Sequence, residues 1–215
     1  NDQQEFPAMT IDRFFRFALA PTVAIGLLAA TPVRAALVFE SDAATSSSAR
    51  NAGYGIMTRF EVTDVVQLTS IAIELDLATF AGNVKHVIFD SQTGALLFDS
   101  GPKTFFDDGM TFKESDPLSF SLLPGVRYAI GALVDVSSLQ AYVVPGGRTF
   151  GSVTSLGGNQ NADGFANPTL DLNPNATDGR VQLYGDVSSA VPVPATVPLL
   201  GLGLLAFAGA TRRRR

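Results

Sequence analysis

From Ala36 to Asp186 the apolar residues tend to recur at every second position, and no window shows a helical period with caps. A period of two sends alternate side chains to opposite faces of an extended strand, so this stretch is committed to β structure. Leu37 and Phe39 alternate with Val38 and Glu40, and a Ser, Thr and Ala run from Ser41 to Ala49 reads as a loop. Tyr54, Ile56, Phe60 and Val62 then share one face, opposite Met57, Arg59 and Glu61. Ile71, Ile73, Leu75 and Leu77 point one way in a long strand, whereas Val66 and Leu68 have the other parity. The switch at Thr69 and Ser70 predicts a bulge or a turn.

The clearest hairpin is Lys85 to Ser100, with Val87 and Phe89 going out, Ser91-Gln92-Thr93-Gly94 turning, and Leu96 and Phe98 returning. Leu118, Phe120 and Leu122 alternate with serines, Pro124-Gly125 turns the chain, and Tyr128, Ile130, Ala132 and Val134 make the next inner face. Ala141 and Val143 form a short strand, and Val181 to Val187 is the last one. About nine or ten short antiparallel strands of this kind predict an all-β fold, an antiparallel two-sheet sandwich that is jelly-roll-like, with a closed barrel as the alternative.

The body, residues 36–187, is long enough to bury a core without staples, and the chain has no cysteine, which excludes disulfides, thiolate metal sites and a cysteine nucleophile. From Ala36 to Thr211 there are 8 Lys and Arg against 17 Asp and Glu, a balance of −9. An acidic body argues against nucleic acid as a partner, because phosphates need a basic face.

Both flanks read as targeting segments. Residues 1–8 look like material upstream of a start at Met9, and 9–35 has the pattern of a signal peptide. Arg13 and Arg16 precede an apolar run from Phe17 to Ala30, and Val33-Arg34-Ala35 offers small residues for a cut between Ala35 and Ala36. At the other flank, residues 188–196 are a proline-rich linker holding Val191, Pro192, Val193, Pro194 and Ala195. The prolines keep this segment extended. Residues 197–215 are a hydrophobic segment, Val197 to Ala210, followed by Thr211 and then Arg212, Arg213, Arg214 and Arg215. As a helix the apolar part reaches roughly 21 Å against a hydrocarbon core of about 30 Å, a marginal anchor. The arginines act as a membrane stop and keep the terminus on the cytoplasmic side.

Motif, weak span and arginine cluster together resemble the PEP-CTERM group of bacterial sorting signals, most closely its Val-Pro-Leu-Pro-Ala variant. Val193 departs from the main pattern, which has Glu there. The resemblance implies an exosortase-type processing enzyme, a Gram-negative host making exopolysaccharide, and an inner-membrane-held precursor that moves to the cell surface or extracellular matrix. The role it implies is structural or adhesive.

Chemistry is sparser. Pro145 to Gly179 reads as one long irregular stretch of Gly, Asn, Asp and Pro. Within it Asn159, Asn161 and Asp163, followed by Gly164, have the spacing of the first half of a calcium loop, but Leu170 stands where a bidentate Glu belongs. Asx turns explain the same residues, and calcium stays open as the one candidate cofactor. His86 is the only histidine and has no nucleophile context around it, so no catalytic residue is assigned and the chain does not read as an enzyme. The alternative is a calcium-dependent carbohydrate-binding module, for which Tyr142 and Tyr184, opposite the inferred core faces, are the candidate exposed rings. A carboxylate glycoside hydrolase stands third, with nothing to select a pair of carboxylates.

Overall fold

The computed structural model describes residues 35–144, 146–175 and 177–188. In chain order the strands are β1 Ala36–Glu40, β2 Ser46–Arg50, β3 Gly55–Val62, β4 Val65–Leu77, β5 Ala81–Asp90, β6 Leu96–Asp99, β7 Lys103–Phe106 and β8 Thr111–Glu114. They continue with β9 Phe120–Leu122, β10 Tyr128–Val134, β11 Ser138–Val143, β12 Thr149–Phe150, β13 Val153–Asp163, β14 Thr169–Leu170, β15 Asp178–Gly179 and β16 Val181–Ser188. One sheet runs β1-β16-β4-β11-β15, with β2 on β11 and with β8 and β9 on β4. The other runs β12-β13-β3-β10-β5-β6, with β14 on β13 and β7 on β5. The pairs are antiparallel, and the two sheets pack as a sandwich.

The main core lies between the sheets. Phe39 of β1 meets Phe60 of β3 edge to face at 4.9 Å, among Leu68, Ile71, Leu75, Ile88, Leu122 and Ile130, none of them exposed. Each such side chain contributes about 1.5–3 kcal/mol by leaving water.

The predicted parity switch is a bulge. Ser70 pairs with Tyr184 and Leu68 with Gly185, so Thr69 is passed over and Val66, Leu68, Ile71 and Ile73 all reach the same core. Gly185 permits it, since a Cβ there would lie 2.1 Å from the Gln67 carbonyl oxygen.

Two expectations are corrected. Ser41 to Ala49 is not all loop: Ser46–Arg50 is a polar strand laid on β11, without the apolar alternation that would have marked it. Pro145 to Gly179 is not one irregular stretch either, because it carries β12 to β15, including the eleven-residue β13. Polar residues hide β13 in the sequence, and two of the buried ones donate to partners elsewhere in the chain. Gln160 donates to the Ser91 carbonyl at 3.1 Å, and Asn159 donates to Thr177 at 2.6 Å.

The rest of that stretch covers the outer face of the second sheet. Met57, Val87, Phe89, Ala129, Leu133 and Ala162 form a separate buried cluster there, closed over by Phe165 and Leu170. Every residue of β10 is buried, which is why it reads as a nearly continuous apolar run. Lys85, on the same face, ties the cover down: its ammonium donates to the Phe165 carbonyl at 2.8 Å and pairs with Asp99 at 3.0 Å.

A polar clasp joins the sheets where the β3–β10 ladder ends at Met57 and Gly131. Beyond that pair, Ile56 N–H donates to Gln140 Oε1 at 2.8 Å, and Gln140 Nε2 donates to the Ala132 carbonyl at 3.5 Å. Gln140 comes from β11 in the opposite sheet and is buried.

Candidate functional site

Antiparallel pairing fixes where the ends of the body lie. Ala36 is paired with Gly185, and Ser188 with Val65, so the start of β1 and the end of β16 share one pole of the sandwich. Ala35, half-buried, lines a surface cleft there with Ser70, Glu114 and Tyr184, and Ser70 donates to the Glu114 carboxylate at 2.6 Å. The first residue after the predicted cut, Ala36, is also the first of β1. The motif Val191, Pro192, Val193, Pro194 and Ala195, and the stop Arg212, Arg213, Arg214 and Arg215, lie outside the described residues, as do residues 1–34. Among the described residues no helix is long and apolar enough to cross a membrane.

The opposite pole is set by the same registers. β4 runs thirteen residues from Val65 to Leu77. At about 3.3 Å per residue its far end is roughly 40 Å from the pole where β1 begins and β16 ends. Ser138 pairs with both Leu77 and Arg50, and Gly53 N–H donates to the Val134 carbonyl at 2.6 Å. The ends of β2, β4 and β10 therefore meet there, with the start of β3 and, through Ala162 opposite Gly55, the end of β13.

The three calcium candidates sit on β13, not in a loop. Asn159, Asn161 and Asp163 are alternate residues of one strand face, where successive Cα atoms stand roughly 6.6 Å apart and do not curl around an ion. Asn159 is committed elsewhere, since Asn175 donates to its Oδ1 at 3.1 Å while its own amide holds Thr177. Asn161 differs, because its buried Oδ1 has no partner among the described residues. Among the described residues no three of His, Cys, Asp and Glu group as metal ligands would.

His86 faces the inter-sheet core between Val84 and Ile88 and is fully buried. Its Nε2 lies 2.9 Å from the Lys113 carbonyl, so Nε2 carries the proton and Nδ1 is left bare, buried and without a partner among the described residues. Burial drives its pKa from 6.5 down to about 4; the Lys113 carbonyl, Asp116 and Glu114 oppose this, while Lys103 adds to it. The ring's hydrogen bond goes to a backbone carbonyl and not to a nucleophile, so the ring is a core group. Lys113 reaches Asp108 from a buried stem, and burial lowers its pKa against the pull of Asp107 and Asp76.

The aromatic assignment changes. Tyr142 and Tyr184 are half-buried, and Tyr184 donates to Gln182 at 2.8 Å. Tyr54, read as a core-facing residue, is 41% exposed, because β3 starts only at Gly55 and the ring belongs to the preceding turn. The turn signal Asn51-Ala52-Gly53, with Gly53 at a φ of 88°, is the trace in the sequence that sets Tyr54 outside the strand. Compared with protein-family models and with curated proteins, the sequence finds no match.

Proposed function

We propose that the chain is an exported surface or extracellular-matrix protein with a structural or adhesive role. In this reading a jelly-roll-like body, released from the signal peptide at Ala35–Ala36, is held in the membrane by residues 197–215. An exosortase-type enzyme then processes it through Val191 to Ala195. One observation carries the reading beyond the tail's own residues: β1 begins at Ala36 and β16 ends at Ser188, shortly before the motif. A cut before Ala36 and processing at Val191 to Ala195 both fall beyond the described strands, so neither takes a residue from them.

Two tail changes separate recognition from anchoring. Pro194→Leu should leave membrane insertion intact and block processing, so an uncut form accumulates in the membrane fraction. Replacing all four arginines with Ser should weaken retention, since nothing then penalises translocation of the tail. Immunoblots of fractionated host cells and the intact mass of the mature protein check both. A wild-type chain that keeps its tail permanently, with Pro194→Leu without effect on size, would reduce the segment to a plain anchor.

A further inference from the structure

A cleft of about 450 Å³ opens at the pole opposite the start of β1 and the end of β16, lined by Arg50, Tyr54, Asn161, Asp163, Thr169 and Asp171 among others. A second depression of about 350 Å³ shares Arg50 and Tyr54 with it and adds Ala49 and Asn51. Tyr54 therefore stands between two hollows with part of its ring in solvent.

Two lining residues carry buried polar atoms without partners among the described residues: Arg50 Nε, a donor, and Asn161 Oδ1, an acceptor. Arg50 enters none of the ion pairs formed among the described residues. Burial lowers its pKa, yet a guanidinium remains charged. Among the described residues the Asp171 carboxylate is engaged from one side, by the backbone and side chain of Asn173 on Oδ1.

The chemistry of this set selects among ligands. A divalent cation suits the two carboxylates and the Asn161 oxygen but meets the Arg50 guanidinium. A phosphate or sulfate suits Arg50 but meets Asp163 and Asp171. A neutral ring bearing neighbouring hydroxyls satisfies all of them, because each hydroxyl both donates and accepts, and its apolar C–H face lies against an exposed aromatic. We infer that the cleft around Tyr54 is a binding site for a neutral glycan, and that the paired hollows take a chain of sugars in preference to one.

The outward presentation of this pole rests on the sorting proposal; the binding chemistry does not, so failure of the tail experiment leaves the site standing. The test uses the full chain in mild detergent, with cellohexaose, xylohexaose and mannohexaose as probes. Tyrosine fluorescence reports binding cleanly, since there are four tyrosines and no tryptophan. At least one hexasaccharide should bind with sub-millimolar affinity and more tightly than its monosaccharide. Tyr54→Ala should weaken binding about tenfold without shifting the melting temperature. Asp171→Asn, a small change on an exposed residue, should weaken it while keeping the fold. Absence of binding by all three, or binding indifferent to both substitutions, overturns the proposal. So does saturable binding of calcium alone lost in Asp163→Asn, or of inorganic phosphate alone lost in Arg50→Ala, either of which would make the cleft an ion site.

Discussion

Replacing Gln140 with leucine should lower the unfolding free energy by about 2–4 kcal/mol, although the two side chains are similar in volume. The Gln140 amide does what a neighbouring strand would do: its oxygen takes the Ile56 N–H and its nitrogen serves the Ala132 carbonyl, both beyond the last β3–β10 pair. Leucine leaves two backbone groups in the core with no partner, and an orphaned group costs about 1–3 kcal/mol. The backbones are already close here, since a Cβ on Gly55 would sit 2.0 Å from the Ala132 oxygen, so the gap has no room to close by itself. Urea unfolding of wild type and variant measures the difference. A loss below about 1 kcal/mol would mean that β3 and β10 pair directly once the amide is removed.

Acidification should act through His86. Its pKa of 6.5 in the unfolded chain falls to about 4 in the fold, so between those values the unfolded chain binds a proton that the folded one refuses. The stability it contributes is complete above pH 6.5, declines as the pH falls, and is gone below about 4, a span worth about 3 kcal/mol. Glu40 and Asp90, held below the usual carboxylate range, add losses at lower pH. Glu40 is lowered chiefly by its hydrogen bond from Gln182, and Asp90 by the Thr93 backbone N–H. Asp76, raised by burial and by Asp107, works in the opposite direction. His86→Gln isolates the histidine, because an amide N–H still donates to the Lys113 carbonyl and does not titrate. Urea midpoints at pH 7 and pH 4 should differ less in the variant than in wild type by about 3 kcal/mol of stability, and equal pH dependence would remove His86 as the cause.

How much of this was legible depends on whether burial was written in apolar residues. The β4 bulge was, because Val66 and Leu68 change parity against Ile71 and Ile73, and a chain that must keep all four inside has to skip a residue. The hairpin of β5 and β6 was too, through Ser91 to Gly94 and its positive-φ glycine. β13 was not, since Asn159 and Gln160 are buried in its middle and their partners, Thr177 and the Ser91 carbonyl, stand 18 and 69 residues away. The outer cluster left a clue in the two-sided apolar runs Val87-Ile88-Phe89 and Tyr128 to Val134, which a one-faced sandwich sheet does not need. The cleft at Tyr54 depended on where β3 begins, and one residue of shift moves a side chain from core to solvent.

The position of β16 bears on mechanics. It is the last described strand before the tail and lies between β1 and β4, hydrogen-bonded on both sides. Ladder bonds run across the strand, so tension applied at Ser188 along its axis loads them in shear, many at once. With the far pole as the other point of attachment, the line of force runs the length of β4. The body would then resist a steady pull as a rod does, where a strand peeled from an edge would lose its bonds singly, in sequence.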